Sequence, residues 1–105
     1  MEKIKVNGYI EEKDGKKEIK GEVSIKTLTF LEKSMAESKG VSYKENAENT
    51  ERLVHARQYC AFASIVDGPI KTYEDLCNIK PASEGDKVFK AYMRANEVNI
   101  VEGEE

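Results

Sequence analysis

Tryptophan is missing from this chain, and proline, cysteine and histidine are scarce: two Pro, two Cys and one His in 105 residues. Each shortage narrows what the protein does. A single His55 leaves few ways to pair a nucleophile with a base, and on a helix the five residues from His55 to Cys60 turn the side chain by about 140°, so the two point apart. His55 is therefore expected to be solvated. Cys60 and Cys77 fall in helical-looking segments and read as buried thiols of a reducing compartment, because two isolated cysteines make neither a disulfide framework nor a metal-ligand spacing. There is no G-x-S-x-G, no glycine-rich phosphate loop after a strand, and no His or Cys cluster. No catalytic residue, no cofactor and no metal are expected, and an enzyme is the least favoured class.

Long apolar runs are also lacking. The longest, Tyr59 to Val66, is far too short to span a bilayer. No basic stretch leads into an apolar N-terminal segment, so a secretory signal is not expected and the cytoplasm is the default location. Charge is plentiful but unevenly spread: residues 1 to 40 carry nine Lys and eight acids, residues 41 to 105 eight Lys or Arg against twelve acids. Phosphate contacts need clustered cations, so a net charge of −3 with an acidic second half makes nucleic acid an unfavoured partner. The length suits one domain with one core.

What is present reads as an α+β fold, an N-terminal β-hairpin packed on a small bundle of about four helices. Ile4, Val6, Gly8 and Ile10 alternate with polar residues, as do Ile19, Gly21, Val23 and Ile25, the period of a half-buried strand. Between them Asp14-Gly15 suits a two-residue type I′ turn, which predicts a hairpin over 3–25 and sets Ile10 opposite Ile19, Gly8 opposite Gly21, Val6 opposite Val23 and Ile4 opposite Ile25. The two glycines then leave a bare spot on the inner face, where a bulky helix side chain is the favoured occupant over a ligand.

The helical part is expected over 29–97. Thr29 and Glu32 have capping-box spacing and Gly40 supplies a stop, giving a helix over about 30–39 with Phe30, Leu31 and Met35 on its buried side. Ser42 and Glu45 offer a second cap, although the next helix can begin as late as Asn49; Leu53, Ala56, Cys60 and Ala63 recur along it at helical spacing, and the nearly continuous apolar run after Tyr59 makes it the core helix. Val66-Asp67-Gly68-Pro69 is expected to end that helix, and Thr72 to restart the chain over "TYED", whose Glu74 and Asp75 make the joint a poor phosphate cradle. After Pro81, Ser83 and Asp86 are placed to cap a last helix over about 84–97, with Val88, Tyr92 and Ala95 on one face and Phe89 and Met93 beside them. This wide stripe and the tail "VNIVEGEE", residues 98–105, supply the candidate partner-binding residues Phe89, Tyr92, Met93, Val98 and Ile100.

The order of parts resembles the small tail assembly chaperones of long-tailed bacteriophages and prophages: a hairpin, "LTFLEK" opening a helix, a long helix ending in "VDGPI", a short "TYEDL" helix and a closing "VFKAYMRANEV" helix that finishes near Asn96. The likeness covers most of the chain and is one of layout. It implies a non-enzymatic protein of the host cytoplasm that binds the tape-measure protein and keeps its long helices soluble while the tail tube assembles, some relatives carrying a frameshifted C-terminal extension. A homo-oligomer is compatible with it. The alternative is a small acidic inhibitor or adaptor that binds a host protein.

Overall fold

A computed structural model describes residues 1–97; the candidate partner residues Val98 and Ile100 lie outside the described residues. In chain order the elements are β1 Glu2–Glu12, β2 Gly15–Ile25, α1 Phe30–Val41, α2 Asn49–Ala63, β3 Ile65–Asp67, α3 Tyr73–Asn78 and α4 Ala82–Ala95. Mixed α+β architecture is thus shown, with four helices against an antiparallel sheet of order β1-β2-β3.

The hairpin forms with the expected faces but in a different register. Glu12 pairs with Gly15, so the two-residue loop is Lys13-Asp14, and Ile4 meets Val23, Val6 meets Gly21, Gly8 meets Ile19 and Ile10 meets Lys17. Gly15, at φ 145°, uses its freedom just after the loop rather than inside it. A shift of two residues preserves the side-chain alternation, which is why Val6, Ile19, Val23 and Ile25 still point into the core. Gly8 and Gly21 are therefore not opposite each other. The bare spot at Gly8 is filled by the α3–α4 connection: a Cβ there would lie 2.5 Å from the Lys80 carbonyl oxygen and 2.9 Å from Ile79 Cγ1. Backbone exchange between Tyr9 and Lys80, at 2.8 and 2.7 Å, closes part of the β1 edge at the same point.

A third strand replaces the expected end of the long helix. α2 stops at Ala63, and the buried Ser64 donates its hydroxyl to the Ala61 carbonyl at 2.6 Å. Ile65 and Val66, β-branched and suited to strands, then pair with the end of β2. Gly68 is not a helix C-terminal residue: at φ 134° it packs on β2, where a Cβ would sit 2.8 Å from the Glu22 carbonyl oxygen.

Two caps are as expected and two are not. Thr29 with Glu32, and Thr72 with Asp75, form reciprocal capping boxes at α1 and α3. α2 takes the later start, with Glu48 at its N-cap and no side-chain cap, and α4 begins after Pro81 rather than on Ser83. Glu84 is then free for another task, accepting the Asn7 amide at 2.8 Å and pairing with Lys87 at 3.0 Å. At the other end of α4, Asn96 accepts the Leu28 amide at 2.6 Å and donates to the carbonyls of Tyr92 and Lys26 at 2.9 and 3.2 Å, tying the helix end to the β2–α1 connection. Asn96→Ala orphans those groups and is expected to cost about 2 kcal/mol, read as a lower urea midpoint.

The core joins the inner sheet face to Ala36, Cys60, Ala61, Ile70, Leu76, Ile79, Val88, Ala91 and Tyr92. On α1 the expected burial is inverted. Phe30, Leu31 and Met35 are 85, 66 and 54% exposed, while Ala36 and Gly40 face inward. Gly40 lies within the last turn of the helix rather than acting as its stop, and its missing side chain lets the α2 backbone approach. Leu53 on α2 is exposed as well, whereas Ala56 and Cys60 are buried and Ala63 is half-buried. Among the described residues no helix is long and apolar enough to cross a membrane.

Two carboxylates anchor the helical layer to the hairpin. Burial alone would raise the Asp75 carboxyl, but Lys17 at 3.1 Å and the amides of Lys71 and Thr72 outweigh it and hold the group below its ordinary range. Glu84 is held low by the Asn7 amide and then by Lys87. A lowered folded-state value contributes stability above the unfolded value and loses it as pH falls through the folded one. The urea midpoint is therefore expected to fall below about pH 4, and Asp75→Asn with Glu84→Gln to be less stable at neutral pH but flatter with pH.

Candidate functional site

A groove of about 350 Å³ lies between α2 and α4, closed at its base by α3 and the residue after it. Its α2 wall is Val54, Arg57, Gln58 and Ala61; its α4 wall is Ala82, Gly85, Asp86 and Phe89. Both sets follow i, i+3, i+4, i+7 spacing, so each wall is a single helix face. Leu76, Cys77 and Ile79 form the base, with Ala61, Leu76 and Ile79 buried. Gly85 adds no side chain to the α4 wall, and a Cβ there would make ordinary contact with the base, 3.4 Å from Ile79 Cγ2. Arg57 on one wall and Asp86 on the other put opposite charges on the two rims.

Of the candidate partner residues, Phe89 lines this groove. Tyr92, 4% exposed, belongs to the core, where burial, with Cys60 beside it, pushes its phenol up to about 12; Met93 is half-buried. Val54, Arg57, Gln58, Ala82, Gly85 and Asp86 were not expected. The i, i+3, i+4, i+7 spacing was available as a signal, but a mixture of small, polar and charged residues at that spacing is indistinguishable from a solvated helix face.

His55 is not solvated. It is half-buried in an aromatic cluster, its Nδ1 2.6 Å from the Tyr73 hydroxyl and its ring 4.9 Å from that of Tyr43. Tyr59 and Phe62 continue the cluster around Tyr73, at 4.5 and 6.0 Å between ring centres. The 42–48 connection brings Tyr43 over α3, and its phenol donates to the Glu74 carboxylate, which pushes it up to about 12. Burial raises the Tyr73 phenol too. Both hydroxyls stay protonated at neutral pH, and the cluster is a packed joint between α2 and α3.

The thiols are also held neutral. Cys60 is buried as expected, but Cys77, on the short α3, is exposed. Desolvation by the neighbouring groups still raises both above the ordinary thiol value, opposite to the depression that makes a nucleophile. Among the described residues no group of three or more His, Cys, Asp or Glu is placed to hold a metal. The groove combines a largely apolar base with Arg57 and Asp86 on opposite rims. Comparisons with protein-family models, with curated proteins and with solved structures give no match.

Proposed function

We propose that this chain is a non-enzymatic tail assembly chaperone of a long-tailed bacteriophage or prophage, holding the apolar face of a helical tape-measure segment in the α2–α4 groove. The observation that carries the reading is the groove itself: two helical walls, a buried apolar base and rims of opposite charge. This is the geometry by which an amphipathic helix is received, with anchors at i, i+3 or i+4 and i+7. Keeping such a client soluble asks for an apolar strip and a charged remainder, and 35% of the chain is charged. The order of hairpin, α1, long α2, short α3 and closing α4 supports the tail-chaperone form of the reading, and with it residence in the host cytoplasm, although β3 stands where the layout had the long helix end.

The experiment is co-expression with a coiled-coil-rich segment of a tape-measure protein encoded beside this chain. The client is expected to move from the pellet to the soluble fraction and to co-purify. An unchanged client, with a single host protein retained tightly in its place, would instead favour the inhibitor or adaptor.

A further inference from the structure

The outward face of α1 takes no part in the groove. α1 rests on the Ala56 and Cys60 side of α2 and contacts little else among the described residues, so Phe30, Leu31, Met35 and Val41 stand open to solvent. At about 100° per residue, Phe30, Val41, Ser34, Ser38, Leu31 and Met35 occupy one sector of the helix that contains no charge. Glu32, Lys33, Glu37 and Lys39 all fall outside it. The four apolar side chains make a patch of roughly several hundred Å², the size that marks an association site.

We propose that this face binds a second copy of the chain, α1 against α1, antiparallel about a two-fold axis level with Met35. Charge selects the occupant. Glu32 and Lys39 lie on one flank of the strip and Lys33 and Glu37 on the other, so each flank is neutral and carries its acid and its base toward opposite ends. A two-fold antiparallel pair lays each flank against its own reversed copy. Glu32 then faces the second copy's Lys39, and Lys33 the second copy's Glu37, on both sides of the axis. Within one chain Lys33 pairs with Glu37 at 3.7 Å and Glu32 with Lys26 at 2.8 Å, whereas Lys39 has no ion pair among the described residues and gains one. The helix dipoles oppose each other in this orientation. Ser34 and Ser38, one turn apart in the middle of the strip, let the helices approach closely, with Phe30 beside the second copy's Val41.

An interface of this size sits at the weak end of specific contacts, so the dissociation constant is expected on the order of 10 to 100 µM. Sedimentation velocity of the full chain from about 5 to 500 µM tests it. A concentration-dependent rise to twice the monomer mass is expected for the wild type, a monomer throughout for Leu31→Glu, and roughly tenfold weaker association for Lys39→Glu. Both positions are exposed, and unchanged far-UV circular dichroism verifies folding. In a Cys77→Ser background, Ser34→Cys is expected to cross-link under mild oxidant and Phe30→Cys not, because antiparallel pairing separates the two Phe30 positions by about 15 Å. A wild type that stays monomeric, a dimer indifferent to Leu31→Glu, or equal cross-linking at both positions overturns the proposal. Loss of client solubilisation by Leu31→Glu in an otherwise monomeric protein would assign the face to the client instead.

Discussion

Gly40→Ala is expected to destabilise the protein by about 3 kcal/mol, seen as a fall of about 15 °C in the thermal midpoint. The sign is what makes the result informative. Replacing a helical glycine by alanine ordinarily stabilises, by up to about 1 kcal/mol, because the unfolded chain loses freedom and the helix gains propensity. Here a Cβ would lie 2.3 Å from the His55 carbonyl oxygen and 2.5 Å from Ala56 Cα, both rigid backbone of α2. No side-chain rotation relieves that overlap, so α1 must lift away. Since α2 is the main support of α1, the displacement should also expose amides across α1 and the 42–48 connection to hydrogen exchange. Ser38→Ala, on the open side of the same helix, is expected to change stability by less than about 0.5 kcal/mol. A stabilised Gly40→Ala would show that α1 and α2 are not in this contact.

The second large effect concerns the groove. Val54 is 45% exposed on the α2 wall, so Val54→Glu leaves the core untouched while placing a carboxylate where an apolar client side chain is to be seated. A carboxylate desolvated there is offset only in part by Arg57, one turn on along the same wall, so client binding is expected to fall by at least about tenfold with the thermal midpoint held within a few degrees. Lys20→Glu, on the solvent face of the hairpin, is the matched control and is expected to bind the client as the wild type does. A Val54→Glu variant that still solubilises the client would move the binding surface elsewhere.

How far these features were legible in the sequence depends on which physical rule was in play. Side-chain alternation specified the inner face of the hairpin because any even shift preserves it. The pairing itself turned on whether Gly15 sits in the loop or after it, which the Asp-Gly dipeptide leaves open. Thr29 and Thr72 identified two helix starts, since a capping box is local chemistry between residues three apart. β3 was missed because Ile65 and Val66 continue an apolar helical run, and only the free edge of β2 makes a strand of them. On α1 the assumption that large apolar residues face inward failed for a definite reason: the inward face is Ala36 and Gly40, small so that two helices can touch, which sends Phe30, Leu31 and Met35 outward. The groove was hidden for a related reason. Gly85, Ala82 and Ala61 contribute by being small, and small residues among polar ones give no hydrophobic pattern to read.

Co-expression of wild-type and Val54→Glu chains with the tape-measure segment, with the soluble client quantified in each, bears most directly on the chaperone reading. Soluble client that co-purifies with the wild type and is lost with Val54→Glu at unchanged thermal stability is the expected result. Client that stays insoluble with the wild type, or is equally soluble with both chains, would contradict it.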